Sequence, residues 1–141
     1  MDVIRLLAIR DTSLSVDEVL AAVGDHAAGG TTLFVGTVRE QDHGKPVTRL
    51  SYSAHPSALD ELRKVAEKVA ADCPVTALAA VHRTGDLELG DIAVIVAVAA
   101  PHRDEAFRAS RRLIDDLKAD VPIWKHQVFV DGSAEWVGAC E

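Results

Sequence analysis

The sequence predicts an α+β fold, in which strands and helices mix in hairpin-like pairs instead of repeating a strand–helix–strand unit. Two observations support this class. Segments rich in β-branched residues alternate with segments whose apolar residues recur at helical spacing. The segment Ile92–Ala100 is apolar at nearly every position, as expected of a central strand covered on both faces. No linker, repeat or low-complexity tract interrupts the chain, so we expect a single domain over residues 1–141.

The first half of the chain is predicted to form three strands and two helices. The strands are expected at Val3–Ile9, Thr31–Arg39 and Val47–Ala54. The third of these should return antiparallel to the second. The first helix should begin at Ser15, because Ser15 and Glu18 form a capping box. The second helix should cover Pro56–Cys73, with a buried face made of Leu59, Leu62, Val65, Ala66 and Val69.

Four strands and one helix are predicted in the second half. The strands are expected at Val75–Arg83, Ile92–Ala100, Trp124–Val130 and Glu135–Val137. The helix should cover Asp104–Leu117 and bury Ala106, Phe107, Leu113, Ile114 and Leu117. Its opposite side carries three oppositely charged i,i+4 pairs, Asp104–Arg108, Arg111–Asp115 and Arg112–Asp116. Those arginines are therefore interpreted as a solvated face.

Charge and composition argue against several classes of partner. Fifteen basic and 22 acidic residues give a net charge of −7, which argues against binding to nucleic acid or to an anionic membrane. The N-terminal segment carries charges unlike a signal peptide, and the longest apolar run is too short for a transmembrane helix. Two cysteines without a motif, Cys73 and Cys140, favour a reduced cytoplasmic setting. The six histidines show no metal-ligand spacing, so we expect no metal and no cofactor.

The segment KADVPIWKHQ holds the strongest candidate site. Pro122 prevents a continuous helix, so Lys118 at a helix end and Lys125 beyond a rigid turn can converge on one pocket. Trp124 is expected to supply an apolar wall of that pocket. A desolvated lysine can act as nucleophile, acid or base, and a charged lysine binds phosphate. On spacing alone a second interpretation stays open, in which Lys118 complements the helix C-terminus and Lys125 is a solvated strand residue.

Three further segments carry candidate residues. In GTVR, Gly36 would allow close approach of a ligand and Arg39 offers a fork suited to phosphate, although a glycine bulge and an edge arginine are the simpler explanation. In APHR, His102 and Arg103 stand at a helix N-terminus, where they could bind an anion, or His102 could merely cap the helix. The segment VHRTGDLELGD, Val81 to Asp91, is interpreted as a strand end and turn with structural ion pairs.

Taken together, these segments resemble the family of large, catalytic subunits of molybdopterin synthase. The resemblance covers almost the whole chain and rests on FVGTVR, HRTGDLELGD, APHRDEAF, LK followed by PIWK, and EWV, in this order. It implies an α/β-hammerhead fold with an additional antiparallel β-sheet subdomain, and a homodimer. A small ubiquitin-like sulfur-carrier subunit would bind at each end of the dimer, which gives a heterotetramer.

The resemblance also implies a reaction and its residues. Cyclic pyranopterin monophosphate would become molybdopterin by gaining two sulfurs, which arrive as a thiocarboxylate on the C-terminal Gly-Gly of the carrier. Lys118 matches the family's essential lysine and would do acid–base or covalent work, while Lys125 would stabilise developing negative charge. The substrate-binding set would be Thr37, Val38, Arg39, His102, Arg103, Lys118, Lys125, His126 and Gln127. The His-Arg pair could come from the neighbouring subunit, and four of the set would contribute backbone groups, namely Thr37, Val38, His126 and Gln127.

Some positions depart from the family pattern. Ser51 and His55 stand where many members carry an acidic residue and a tyrosine. Cys140 stands where many carry an arginine, so one phosphate contact is either missing or supplied by another residue. A non-catalytic alternative stays open: a dimeric module of the same fold that binds an anion or pterin, or docks the carrier, without turnover. The presence of Lys118 and Lys125 favours the enzyme.

Overall fold

The computed structural model of the protein describes residues 2–42 and 44–138, which fold into two β-sheets and three helices. This mixture of strands and helices confirms the predicted α+β class. In chain order the elements are β1 (Ile4–Arg10), α1 (Val16–Ala22), β2 (Gly30–Thr37), β3 (Gln41–Asp42), β4 (Lys45–Ala54), α2 (Ala58–Asp72), β5 (Ala77–Arg83), β6 (Gly85–Leu87), β7 (Ile92–Ala100), α3 (Arg103–Asp120), β8 (Ile123–Phe129) and β9 (Ala134–Gly138).

The first sheet has the strand order β1-β5-β7-β2 and holds most of the core. Strand β1 runs parallel to β5, and the other neighbours are antiparallel. Strand β7 has the bounds predicted for it and is buried on both faces, which confirms its central position. Helix α1 packs on one face, and helices α2 and α3 pack on the other. The alternating side chains of β5 and β7 are mainly alanine and valine, which lets helices lie close to the sheet.

The second sheet has the order β3-β4-β8-β9, with β6 also paired to β4. Strand β4 therefore pairs with β3 and β8. The predicted antiparallel return of Val47–Ala54 along Thr31–Arg39 is wrong, because β2 pairs with β7 instead. A register shift between Gly36 and Thr37 marks the end of β2. Such a bulge bends a strand, and here the chain then leaves the first sheet for the second.

The helices follow most of their predicted caps and faces. The Ser15 hydroxyl accepts a hydrogen bond from the Glu18 amide at 3.2 Å, as predicted, but the Glu18 carboxylate binds Arg10. Leu59 and Phe107 are exposed, so their predicted burial is wrong. Each follows a buried alanine, Ala58 or Ala106, which takes the inner position, so the larger side chain lies at the margin of the apolar stripe. All three predicted i,i+4 charge pairs on α3 are present, at 3.3 to 3.5 Å.

Two further findings concern membrane-spanning helices and metal sites. Within residues 2–42 and 44–138, no helix combines the length and apolar character that crossing a membrane requires. Across the same residues, no three His, Cys, Asp or Glu side chains gather in a way that could hold a metal ion.

Candidate active site

Lys118 and Lys125 meet at one pocket between the two sheets. Lys118 lies in the last turn of α3, and Lys125 lies on β8 just beyond the turn at Pro122. Both lysines line an inner cavity of about 30 Å³ and an outer cleft of about 390 Å³. The inner cavity is also walled by Tyr52, His82, Val94, Ile114, Leu117, Ile123 and Gly138. The outer cleft is also walled by Phe34, Val35, Gly36, Thr37, Val38, Arg39, Asp42, Leu50, Tyr52, Ala93, Val94 and Gln127.

The turn between α3 and β8 explains why the lysines converge. Proline cannot continue the helix, which ends at Asp120, and the backbone amide of Val121 still bonds the Leu117 carbonyl at 3.0 Å. The next strand then starts at Ile123. Helix and strand thus present their lysines from two directions to the same space.

Trp124 does not form a wall of this pocket, so that expectation is wrong. Side chains alternate along a strand, so Trp124 points to the opposite face of β8 from Lys125. It is exposed there, and its ring lies edge-on to His55 at a centroid distance of 6.4 Å. Leu117 and Ile123 supply apolar wall instead.

The register of β4 with β8 selects which side chains face the outer cleft. Tyr52 lies opposite Lys125, and Leu50 lies opposite Gln127. Directly paired residues project from the same face of a sheet, and all four line the cleft. His126 lies on the other face, where its ring packs at a tilt against the Trp136 ring with a centroid distance of 4.4 Å. The His126 side chain therefore faces away from the lysines.

A buried carboxylate lies among the basic groups of the cleft. Asp42 is only 4% exposed, and its oxygens lie 2.6 Å from Arg39 Nη2 and 3.6 Å from Lys125 Nζ. The Gln127 side-chain amide also donates to Asp42 and to Glu135. Three basic or amide groups, two from β8 and one from the loop after β2, thus converge on one anion. Asp42 could not be predicted from the sequence, because an acidic residue within a polar loop carries no signal of burial.

Arg39, Thr37 and Val38 all line the outer cleft. The Arg39 side chain is 74% exposed, so its guanidinium is open to solvent while held by Asp42. The Val38 amide donates to the Asp91 carbonyl at 2.9 Å and its carbonyl accepts from Gly90, so its backbone groups already have partners. What Val38 offers the cleft is mainly apolar surface.

Gly36 is required by close packing inside the protein. A Cβ added there would lie 2.7 Å from Val94 Cγ1 and 3.4 Å from the Phe34 ring. The glycine therefore lets β2 approach the Val94 side chain, and the register shift beside it confirms the bulge interpretation.

His82 is a second residue whose position sequence reasoning did not anticipate. It is 6% exposed and lines the inner cavity. Burial lowers the pKa of His82 to about 4, an effect that its hydrogen bond to the Arg83 carbonyl partly opposes and the positive charge of Lys118 reinforces. Burial, followed by the negative charge of Asp42, raises the pKa of Tyr52. The predicted ion pair of this segment is present, between Arg83 and Asp91 at 3.3 Å.

A family model described as MoaE protein matches residues 9–120 of the chain. The chain belongs to this family. Over 131 residues it is 46% identical to molybdopterin synthase catalytic subunit 1 of Mycobacterium tuberculosis, covering 92% of this chain and 88% of that relative. Over 138 residues it is 44% identical to the molybdopterin synthase catalytic subunit of a Nostoc species, covering 95% and 84%.

Solved structures of the MoaE family share the fold. Molybdopterin synthase from Staphylococcus aureus superimposes with a TM-score of 0.85 at 33% identity, over 92% of this chain and 95% of that one. A complex of subunits 1 and 2 of molybdopterin-converting factor from Helicobacter pylori contains a chain that matches at a TM-score of 0.70 and 27% identity, over 96% and 90%. The family, the hammerhead-type fold and the enzyme class predicted from the sequence, a molybdopterin synthase catalytic subunit, are thereby confirmed.

His102 and Arg103 lie apart from the lysines of their own chain. His102 is the N-cap residue of α3, with extended dihedral angles and no side-chain cap hydrogen bond, and both residues are exposed. Arg103 and Lys118 are separated by about 22 Å along the helix, at a rise of about 1.5 Å per residue. Neither His102 nor Arg103 lines the lysine pocket within the described part of the chain.

The chain departs from the family pattern at three positions, and the structure describes two of them. Ser51 lines a groove on the far face of β4 together with His126. The His55 ring bonds the Ser57 hydroxyl at 2.8 Å, in the turn before α2. Cys140 lies outside the described residues.

Proposed function

We propose that the two lysines of this MoaE-family protein carry out the sulfur-transfer reaction of molybdopterin synthase. The substrate is cyclic pyranopterin monophosphate, and the product is molybdopterin, which carries two added sulfurs as a dithiolene. The observation that carries the proposal is the convergence of Lys118 and Lys125 on one pocket whose mouth holds Arg39.

The outer cleft suits a phosphate-bearing heterocycle. A volume of about 390 Å³ is within the range of small-molecule sites. The exposed guanidinium of Arg39 can bind a phosphate through two parallel hydrogen bonds, with its arm held by Asp42. Tyr52 and Leu50 offer flat and apolar surface for a ring system beside these charges.

The inner cavity gives Lys118 a partly apolar environment suited to proton transfer. The carrier's thiocarboxylate sulfur attacks an oxygen-bearing carbon of the pterin, where a carbon–sulfur bond forms, the carbon–oxygen bond breaks and the oxygen group leaves. The product is a thioester between carrier and pterin. Water, or the Lys118 amine, then attacks the acyl carbon, the carbon–sulfur bond to the carrier breaks, and the sulfur stays on the pterin. Lys118 supplies acid–base or covalent catalysis at this step, and Lys125 stabilises the oxyanion that forms.

The partner in this proposal is a small ubiquitin-like sulfur-carrier subunit whose C-terminal Gly-Gly thiocarboxylate enters the cleft. The Helicobacter pylori relative, solved as a complex of two subunits, supports such a partner. A homodimer within a heterotetramer is proposed as the working assembly. The second protomer would supply His102 and Arg103, which lie about 22 Å along α3 from Lys118 of their own chain.

The direct test is molybdopterin formation from cyclic pyranopterin monophosphate and thiocarboxylated carrier. The native protein should form product, and Lys118→Ala should lower the rate by about 100-fold or more while the protein stays folded. Lys64→Ala is the matched control, because Lys64 is an exposed lysine that pairs with Glu61 on α2. It should retain native activity.

The opposite outcome would favour the non-catalytic alternative. Native protein that binds the carrier and the pterin, yet forms no product with a competent carrier, would be a docking or pterin-binding module. Equal activity of Lys118→Ala and Lys64→Ala would remove Lys118 from the chemistry.

A further inference from the structure

His82 is a buried polar residue that the proposed reaction does not use. It is the penultimate residue of β5, and its side chain shares a face with Leu78 and Ala80, on the side of the sheet that α2 and α3 cover. Its position in the strand therefore directs the imidazole toward the C-terminal half of α3. There it forms part of the wall of the inner cavity, beside Lys118.

The hydrogen bonds of His82 fix its tautomer. Nδ1 lies 2.7 Å from the backbone carbonyl oxygen of Arg83. A carbonyl oxygen only accepts, so Nδ1 carries the hydrogen, and in the neutral ring Nε2 holds an unprotonated lone pair. The Tyr52 ring packs against the imidazole at a centroid distance of 4.9 Å and an angle of 78°, which restrains the ring plane. The imidazole is thus an oriented hydrogen-bond acceptor.

The neutral form of this ring persists through the physiological pH range. Burial lowers the pKa of His82 to about 4, and the nearby charge of Lys118 contributes in the same direction. The inner cavity that both side chains line has a volume of about 30 Å³, which is enough for a bridging water. Much of the remaining wall is aliphatic, from Val94, Ile114, Leu117 and Ile123.

We propose that His82 is a positioning residue for Lys118. A water in the inner cavity accepts a hydrogen bond from the Lys118 amine and donates one to His82 Nε2, and so aims the amine toward the outer cleft. The role rests on the proposed function, because it matters for catalysis only if Lys118 acts on the substrate. A misdirected amine would slow the chemical step while leaving substrate binding at Arg39 intact.

Two amide variants separate this role from a structural one. In His82→Asn the amide can replace Nδ1 and keep the bond to the Arg83 carbonyl, but nothing occupies the Nε2 position. In His82→Gln the longer side chain places its amide near the Nε2 position and offers an oxygen acceptor. We expect His82→Asn to lower kcat by about tenfold or more with KM nearly unchanged, and His82→Gln to stay within about threefold of native.

Native kcat in His82→Asn, or equal losses of kcat in the two variants, would overturn the positioning role. If the native protein forms no product, the proposed function is wrong. A second measurement still tests the contact between His82 and Lys118. That measurement is the ¹⁵N resonance of His82 Nε2 in native protein and in Lys118→Ala. The proposal requires the resonance to move toward the value of a free acceptor in Lys118→Ala; an unchanged resonance would contradict it. The same comparison decides the matter if either His82 variant fails to fold.

Discussion

The two ends of α3 carry the two sets of basic residues that the sequence marked, and they differ in almost every physical respect. At the C-terminal end, Lys118 lies in a pocket together with Lys125 from another element. At the N-terminal end, His102 and Arg103 are exposed, and neither lines that pocket. The residues at the C-terminal end thus form a pocket within one chain. The residues at the N-terminal end form only part of a site and need further groups to complete it.

The difference shows that two motifs on one helix need not belong to the same active site of an oligomer. An α-helix is rigid over this length, so about 22 Å along its axis separates Arg103 from Lys118. No side chain can bridge that distance. If both ends serve the same reaction, the N-terminal pair must complete the pocket of a second protomer.

The largest expected effect comes from mixing two inactive variants. Lys118→Ala and Arg103→Ala should each be nearly inactive in molybdopterin formation as pure proteins. After subunit exchange of equal amounts, half of the dimers would be hybrids, and each hybrid would hold one intact site and one doubly defective site. Activity should therefore rise to about a quarter of native, measured as the initial rate per total protein.

If mass spectrometry shows that hybrids formed but activity stays at the level of the pure variants, the N-terminal pair does not complete the lysine pocket of a second protomer. A mixture of Lys118→Ala with Lys125→Ala is the control. Both lysines belong to the same pocket of one chain, so these hybrids should regain nothing.

A second prediction contrasts the histidines near the two ends of α3. His82 beside Lys118 has a pKa of about 4 in the folded protein, against about 6.5 in the unfolded chain. Below pH 6.5 the unfolded chain therefore binds a proton that the folded protein refuses, so stability falls as pH is lowered toward 4. The loss from this residue should reach about 3 kcal/mol at pH 4.

Chemical denaturation of native protein and two glutamine variants checks this prediction. His82→Gln should lose less stability than the native protein between pH 6.5 and pH 4, because it carries no group to protonate there. His102→Gln removes the exposed histidine at the other end of the helix and should follow the native curve. Parallel curves for all three proteins would show that His82 is not a buried neutral imidazole.

The smallest predicted effect concerns what holds the basic groups in place near Lys118. Asp42→Asn keeps the shape of a buried side chain but removes the charge that binds Arg39 and Lys125. We expect kcat/KM to fall by about tenfold. Asp131→Asn is the control, because Asp131 is an exposed carboxylate that pairs with Lys45 at 3.6 Å. A change in unfolding midpoint without a change in kcat/KM would make Asp42 purely structural.

Local sequence patterns predicted the helices and strands better than they predicted which strands pair with each other. The apolar run of β7 and the three charge pairs of α3 depend on residues close in sequence, and both are present. The pairing of β4 with β8 joins residues 69 to 82 positions apart. Hydrophobic alternation fixes which face of a strand is buried, but it does not select the neighbour. Phe107 was misplaced for a related reason, since its spacing fits the edge of the stripe as well as the centre.

The residues of the candidate site also divide into those that a local sequence pattern indicates and those that only the fold brings together. The lysines could be found because a proline between two helix-spaced residues is a visible pattern, and the family motifs marked Arg39. Asp42 and His82 could not be found, because their importance arises from burial created by the fold. Trp124 was expected in the pocket from its proximity to Lys125, whereas strand alternation turns it away.

The most direct test of the account is a single-turnover measurement of the carrier's C-terminus. Native protein and Lys118→Ala, each bound to thiocarboxylated carrier, are mixed with cyclic pyranopterin monophosphate, and the carrier's intact mass is followed. We expect the native protein to convert thiocarboxylate to carboxylate only when the pterin is present, and Lys118→Ala to bind the carrier without converting it. Conversion at the native rate by Lys118→Ala would contradict the central role of the lysine pocket.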